Sequence, residues 1–226
     1  DRDFVFYRSS QTSADLNLRY GEVNRQLIDS CRIFHFGSLS LTDEPSRTAT
    51  VNAVEYAKMQ EKIVTYDPNW RPHLWENKES AIRAMRSAAQ YADIVKVSEL
   101  ELQLLSDSGA LIPGVAKLLQ MGVKIICVTQ GAKGCIIATP KGINRFPAYK
   151  TKTVDTLGAG DGFFGAFLYK FLETGKSIEE LDSDDIKEMA MFSNACGALC
   201  ASKQGDIPAM PEKCDIEALI KAQPLK

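Results

Sequence analysis

The residues best suited to chemistry lie in one stretch, VDTLGAGDGFFGAFLYKFLE, which begins at Val154. Three glycines, Gly158, Gly160 and Gly162, come where a polar segment gives way to an apolar helix. Glycine allows backbone conformations that turn successive N–H groups toward one point, and a helix N-terminus adds unpaired donors and the positive end of its dipole. The pattern predicts an anion site made of backbone, with Asp161 at its edge. The alternative interpretation is an ordinary helix N-cap, where Asp is a favoured residue.

A carboxylate beside an anion site suits the transfer of a phosphoryl group to an alcohol. The carboxylate takes the hydroxyl proton as the oxygen attacks, and fixed N–H donors stabilise the charge that develops on the transferred group. In other enzymes a general base contributes about 10²–10⁴ in rate. Both parts are therefore needed for a competent site.

The same stretch contains a competing motif, because residues 160–165 satisfy G-x-G-x-x-G. A dinucleotide site would need a buried strand before the glycines and a second strand after the helix. The preceding YKTKTVDT is too polar for such a strand, and the following EELDSDDIKEM is polar and then helical. The sequence therefore disfavours a nicotinamide-binding oxidoreductase. No G-x-x-x-x-G-K-[ST] occurs either, which excludes a P-loop site.

Two kinds of apolar segment alternate along the chain and provide the scaffold for these residues. Short β-rich runs predict strands at 4–8, 32–36, 62–66, 94–97, 124–129 and 135–138. Stretches with helical periodicity predict helices at 44–60, 79–91 and 112–121, and later at 161–173 and 183–202. This order predicts an α/β fold in which helices cover both faces of a mostly parallel sheet. An antiparallel pair, GCIIATP and KGINRFPA, is predicted after Gly134.

Ligands of parallel sheets bind at the carboxyl ends of the strands. The residues at those ends read Gly37-Ser38, Asp67-Pro68-Asn69, Ser98-Glu99 and Gln130-Gly131. They place carboxylate, amide, hydroxyl and glycine at the edge where a site is expected.

Length and composition limit the class of protein. The 226 residues carry a formal net charge of -2, so one domain is the economical interpretation and no basic excess indicates nucleic acid. The longest apolar runs fall far short of the roughly 18 residues that a membrane span needs. No secretory signal is recognisable, and most of the six cysteines lie in apolar segments. These features are typical of a cytoplasmic protein with reduced thiols.

Two of the cysteines, Cys196 and Cys200, are four residues apart on a predicted helix. That spacing places both thiols on one face, where they could hold one metal ion. The histidines, His35 and His73, are distant in sequence, and no second close pair of ligands completes a tetrahedral site. Buried reduced thiols are the favoured interpretation.

The stretch DTLGAGDGFFGAFL resembles the C-terminal signature of the PfkB carbohydrate kinases, the ribokinase-like sugar kinases. Further segments match that family in the expected order: FVFYR, FGSLSL, YDPNWRPHLW, ADIVKVSELE, VTQGAKG and FSNACGALCASKQGDIPAMP. The form D-P-N-x-R-x-x-L-W most resembles the fructokinase-like branch. The resemblance implies a ribokinase-like fold, ATP and Mg²⁺ as cofactors, and a monovalent cation such as K⁺.

The resemblance also assigns residues to the reaction. Asp161 is the implied catalytic base, and the backbone of Gly158, Ala159 and Gly160 the implied anion hole. For ATP it implies Thr129, Gly131 and Gly134 near the phosphates and ribose, with Asn194 and the 203–207 segment, which includes Gly205, flanking the adenine.

Metal and sugar contacts follow from the same resemblance. Glu101 corresponds to the acidic residue that places Mg²⁺ through water, and Ser98 stands near the phosphates where the family has Asn. Asp155 resembles a ligand of the monovalent cation, with a turn-forming Asp as the alternative. The sugar contacts are Asn69, Arg71, Tyr7 and Arg8.

Residues 1–8 resemble the last strand of a β-lid over the sugar, and 9–226 the α/β body of a single domain. We expect that the earlier lid strands and a sugar-binding segment precede this chain, and that a homodimer forms through the lid. The leading hypothesis is phosphorylation of fructose to fructose 6-phosphate. The alternatives are a 2-keto-3-deoxygluconate kinase, another PfkB kinase such as a ribokinase or nucleoside kinase, or a catalytically silent nucleotide-binding fragment.

Overall fold

The computed structural model describes Arg8 and residues 13–224. The chain divides into two compact units, Asp1–Ile126 and Cys127–Lys226, and the division falls within strand β4 (Ile125–Thr129). The prediction of a single domain stays a prediction, and each unit is described by itself below.

The first unit alternates strands with helices. Its strands are β1 (Ile33–Gly37), β2 (Ile63–Asp67) and β3 (Ile94–Ser98). Its helices are α1 (Arg25–Ser30), α2 (Ser46–Met59), α3 (Lys78–Ala89), α4 (Glu99–Ser106) and α5 (Leu111–Gln120). The predicted strands at 32–36, 62–66 and 94–97 are confirmed to within one residue at each end.

The three strands run parallel, with β2 paired to both neighbours. In the β1–β2 register Gly37 lies opposite Asp67, so the carboxyl ends of these strands are level. All of β3 except Ser98 is buried, which explains the nearly continuous apolar run IVKV. The parallel arrangement places Asp67 and Ser98 at one edge, as the sequence predicts.

Two helices of this unit were not among the predictions. Helix α1 is short, and Asn24 caps it by accepting a hydrogen bond from the Gln26 N–H. Helix α4 begins directly after β3 with a capping box, in which Ser98 and Glu101 bond each other's backbone N–H groups. The sequence signal for α4 was therefore Ser-x-x-Glu at the end of a strand.

The second unit contains β5 (Cys135–Thr139), β6 (Gly142–Phe146), α6 (Ala159–Thr174), α7 (Ser183–Ala201) and α8 (Lys213–Ala222). Strands β5 and β6 pair antiparallel from Cys135 opposite Phe146 to Thr139 opposite Gly142, which confirms the predicted hairpin. Helices α6 and α7 pack closely at Gly197. A Cβ added there would lie only 3.1 Å from the carbonyl oxygen of Ala159. This close approach fixes the N-terminal end of α6 against α7.

The described helices include none that is both long enough and apolar enough to cross a membrane.

Candidate active site

The N-terminus of α6 has the geometry of an anion site. Gly158 is the N-cap residue and adopts a left-handed conformation with φ +71°, which glycine accepts without steric cost. The first backbone bond of the helix runs from the Gly162 N–H to the Gly158 carbonyl at 2.8 Å. Within the described part of the chain, the N–H groups of Gly160 and Asp161 have no acceptor. These donors are available to a bound anion, as the helix terminus requires.

Asp161 lies in the first turn of α6 with its side chain exposed. No other residue in the described part of the chain bonds its carboxylate. Asp161 is also not a capping side chain, because Gly158 holds the N-cap position. The geometry favours the catalytic interpretation of this carboxylate over the structural one.

A cavity of about 580 Å³ lies in the second unit and includes the first turn of α6 in its wall. Six residues predicted for ATP or the anion hole line it: Thr129, Gly131, Gly134, Ala159, Gly160 and Asn194. Two lysines, Lys133 and Lys150, also line it. The structure thus brings together in one cavity residues that are far apart in sequence.

Gly134 gives the cavity wall its shape. It has φ +95°, and a Cβ there would collide with the backbone of Phe146 and Pro147. The Asn194 side chain secures the same backbone, because its Nδ2 donates to the carbonyl oxygens of Phe146 at 3.2 Å and Pro147 at 3.0 Å. Asn194 therefore stabilises the cavity wall through the hydrogen bonds that its side-chain amide donates.

Asp155 is held in a loop before α6. Its Oδ1 accepts from the Leu157 N–H at 2.8 Å, and its Oδ2 accepts from the Gly205 N–H at 3.0 Å. Gly205 therefore fixes this loop and is absent from the cavity lining. Sequence reasoning missed Asp206, whose carboxylate packs directly against Gly158. Its position after a glycine in a Pro-containing loop gave no signal of that contact.

At the carboxyl edge of the first unit, a buried ion pair anchors the loop after β2. Lys96 Nζ lies 2.8 Å from Asp67 Oδ2, and both side chains are less than a tenth exposed. Asp67 Oδ1 also accepts from the Asn69 N–H at 3.0 Å, which holds Asn69 in a left-handed conformation with φ +47°. Sequence reasoning missed this pair, although a lysine within the apolar run IVKV is an unusual residue that signals a buried partner.

A second carboxylate holds the same loop from α4. Glu101 Oε1 accepts from the Trp70 N–H at 2.7 Å, and its Oε2 accepts from the Ser98 N–H and hydroxyl at 2.7 and 2.9 Å. The Arg71 guanidinium donates to the Trp70 carbonyl at 3.1 Å. The structure therefore groups four predicted residues, Asn69, Arg71, Ser98 and Glu101, around one loop.

The predicted lid strand is described only at its last residue, Arg8. Tyr7 and the residues before it lie outside the described residues, and the lid homodimer stays a prediction. Arg8 is described, lies outside any strand and forms an ion pair with Asp15.

The buried Asp67 carboxyl predicts a pH dependence of stability. Burial raises the pKa of Asp67 from 3.8 to about 6, even though Lys96 lowers it. A carboxyl whose pKa is higher in the folded state stabilises the fold fully below the unfolded pKa, and this contribution is lost as pH rises from about 4 to 6. Relative to Asp67→Asn, we expect the wild type to lose on the order of 3 kcal/mol of unfolding free energy between pH 4 and 7.

Denaturant unfolding followed by tryptophan fluorescence measures this difference, because Trp70 and Trp75 both belong to the first unit. Parallel pH profiles for the wild type and Asp67→Asn would contradict the prediction.

Comparison with known proteins agrees with these features. The family model for pfkB family carbohydrate kinases matches residues 1–213. The chain is 42% identical over 224 residues to the protein named probable fructokinase-5 of Arabidopsis thaliana, covering 99% of this chain and 68% of that protein. The chain thus spans about two thirds of the length of this relative.

Solved structures show the same fold. A fructokinase from Xylella fastidiosa with bound ATP superimposes with a TM-score of 0.90 at 30% identity, covering 100% of this chain and 71% of that one. A fructokinase double mutant from Vibrio cholerae O395, with bound fructose, ADP and potassium ion, gives 0.83 at 29% identity, covering 92% and 66%. The expected ribokinase-like α/β fold is confirmed. The chain belongs to the pfkB family of carbohydrate kinases and is a sugar kinase of its fructokinase-like branch.

Proposed function

We propose that the protein transfers the γ-phosphoryl group of ATP to the 6-hydroxyl of fructose, giving fructose 6-phosphate and ADP. The observation that carries this proposal is the end of α6, where unbonded N–H donors and the exposed Asp161 carboxylate belong to the same helical turn. One element therefore holds a base for the acceptor hydroxyl and an anion site for the group being transferred.

The chemical step needs little from the protein beyond positioning and charge. Asp161 accepts the hydroxyl proton as the sugar oxygen forms its bond to the γ-phosphorus, and the bond from that phosphorus to the β,γ-bridging oxygen breaks. The N–H groups of Gly160 and Asp161 stabilise the phosphoryl oxygens during transfer. These donors point along the helix axis, out of the N-terminal end of α6 where Gly158 is the left-handed N-cap residue.

The cavity of the second unit is assigned to ATP. Its volume of about 580 Å³ lies within the range of small-molecule sites. Glycines at 131 and 134 let a ligand approach the backbone closely, and Lys133 offers a cation to phosphate oxygens. Asn194 acts by holding the wall at Phe146 and Pro147.

The loop after β2 is assigned to the sugar. Arg71 and Asn69 supply guanidinium and amide donors suited to hydroxyl oxygens. Asp67 and Glu101 hold the backbone of this loop, so its side chains start from a fixed frame. Tyr7 and Arg8 complete the proposed sugar contacts.

Glu101 fits the role of placing Mg²⁺ through water. Its oxygens accept three hydrogen bonds in all, which leaves acceptor capacity for a water molecule. Mg²⁺ characteristically keeps several waters and few direct carboxylate ligands, and when bound it neutralises charge on the ATP phosphates. Asp155, whose carboxylate accepts from the N–H groups of Leu157 and Gly205, supplies the oxygen ligands that a monovalent cation would take.

Similarity supports fructose as the acceptor. The Vibrio cholerae protein is described with fructose, ADP and potassium ion, and the plant relatives are named fructokinases. The loop DPNWRPHLW also supports fructose as the acceptor, because it resembles the fructokinase-like form of the motif.

An ADP-release assay on a panel of sugars, run with the full protein that contains this chain, tests the proposal. We expect fructose to give the highest kcat/KM among fructose, 2-keto-3-deoxygluconate, ribose and a nucleoside. A preference for the keto-deoxy acid would overturn the substrate assignment. Tight binding of an ATP analogue without turnover of any sugar would overturn the enzymatic role and favour the silent nucleotide-binding fragment.

A further inference from the structure

Three sulfur atoms converge beside the first turn of α6. Cys196 and Cys200 lie on α7 and are 5% and 0% exposed, and Met210 follows the short helix Ile207–Ala209. The Cys200 Sγ lies 3.6 Å from the Met210 Sδ. A Cβ built on Gly162 would lie 2.6 Å from Cys200 Sγ, 3.2 Å from Met210 Sδ and 3.5 Å from Cys196 Sγ. The three sulfur atoms are therefore packed together against the Cα of Gly162.

The two cysteines can share a ligand but cannot bridge each other. Residues four apart on a helix have Cβ atoms about 5–6 Å apart. A disulfide needs Cβ atoms about 3.5–4.5 Å apart. Since both residues lie within the continuous helix α7, a disulfide would require the helix to unwind. The arrangement resembles the paired metal ligands at the same helical spacing in zinc proteases.

The thiols also interact electrostatically. A hydrogen bond from Cys196 lowers the pKa of Cys200, and the same bond raises the pKa of Cys196. The two thiols therefore lie close enough to interact directly. A thiolate is the form of cysteine that binds metals.

The donor set selects the class of metal. In the described part of the chain no cluster of three His, Cys, Asp or Glu side chains is placed to hold a metal ion, so the third donor here is the Met210 thioether. Thiolate and thioether are soft ligands that favour Cu(I). Metal–sulfur bonds near 2.3 Å around one ion separate the sulfurs by about 4 Å, close to the Cys200–Met210 distance.

We propose that Cys196, Cys200 and Met210 form a site for one soft monovalent cation of the Cu⁺ class. The ion binds the three sulfurs and displaces the remaining thiol protons. Met210 is half-buried whereas both cysteines are buried, so Met210 is the most accessible of the three ligands. This inference goes beyond the sugar kinase activity and does not depend on it.

Anaerobic titration with Cu⁺ against a chromophoric Cu⁺ chelator, together with native mass spectrometry, tests the proposal. We expect one tightly held Cu⁺ per wild-type chain and an ultraviolet thiolate-to-copper charge-transfer band. Met210→Leu conserves the side-chain volume and removes the thioether sulfur. We expect it to lower the affinity for Cu⁺ by at least about tenfold. Cys200→Ser abolishes the tight site.

The matched control is Cys214→Ser, which removes an exposed thiol outside the cluster and leaves Cu⁺ binding unchanged. Thermal unfolding of each metal-free variant establishes that it is folded. If Cys200→Ser does not fold, the Cu⁺ affinity of Met210→Leu tests the proposal by itself. The proposal is overturned by wild-type affinity in Met210→Leu. It is equally overturned by loss of binding in Cys214→Ser.

Discussion

Asp161→Asn is expected to lower the turnover of the full protein by about 10²–10⁴, the range that a general base supplies. The amide of Asn cannot take the proton of the sugar hydroxyl, while its size matches that of the carboxylate. Because Asp161 makes no bond to other described residues, the substitution leaves the fold and the N–H donors of α6 in place. ATP affinity should therefore stay close to the wild-type value.

Steady-state kinetics and calorimetric titration with an ATP analogue measure the two quantities separately. The matched control is Asp184→Asn, which changes another exposed aspartate in the first turn of a helix, α7. We expect that control to keep full turnover. Turnover of Asp161→Asn within a few-fold of wild type would exclude Asp161 as the base.

Gly134→Ala is expected to destabilise the second unit by about 3 kcal/mol or more, through backbone strain and a steric clash together. Gly134 has φ +95° and ψ -136°, a region that residues with a Cβ avoid. The added Cβ also meets the backbone of Phe146 and Pro147, which cannot rotate away as a flexible side chain can. The cavity wall between β5 and the end of β6 must open to admit it.

Gly131→Ala provides the matched control within the same turn. Gly131 also has positive φ, at +56°, but nothing lies within 4 Å of its added Cβ. It should therefore cost only the left-handed penalty, about 1–2 kcal/mol. Thermal unfolding and binding of an ATP analogue compare the two variants. Equal losses would show that conformation alone matters, and that the contact with Phe146 and Pro147 contributes nothing.

The sequence predicted the helices and strands whose apolar residues recur with a clear period, and the residues that follow them. Strands rich in β-branched residues and the long amphipathic helices α2 and α3 appear where expected, because burial on a defined face dictates their pattern. The short α1 and α4 were missed, since 6 and 8 residues are too few to show a helical period, and the first leucines of α4 alternate as in a strand. Only their capping residues, Asn24 and Ser98, marked them.

For the candidate site, the sequence predicted six of the residues that line one cavity, but not how they bond. The glycine-rich start of α6 and the cavity glycines could be predicted from the sequence, because glycine itself indicates an unusual backbone conformation. The roles of Asn194 in holding the cavity wall and of Lys96 in pairing with Asp67 depend on contacts between distant segments. The lysine in the apolar run IVKV signals that a buried partner exists, but no local pattern identifies which distant residue makes either contact.

The two carboxylates that hold the loop after β2 have a consequence for binding entropy. Asp67 and Glu101, 5% and 7% exposed, accept hydrogen bonds from consecutive backbone amides, those of Asn69 and Trp70. A loop anchored at both amides loses its conformational freedom when the protein folds. Under the proposed assignment of this loop to the sugar, little further ordering is needed at the moment of binding, so more of the interaction energy is expressed as affinity.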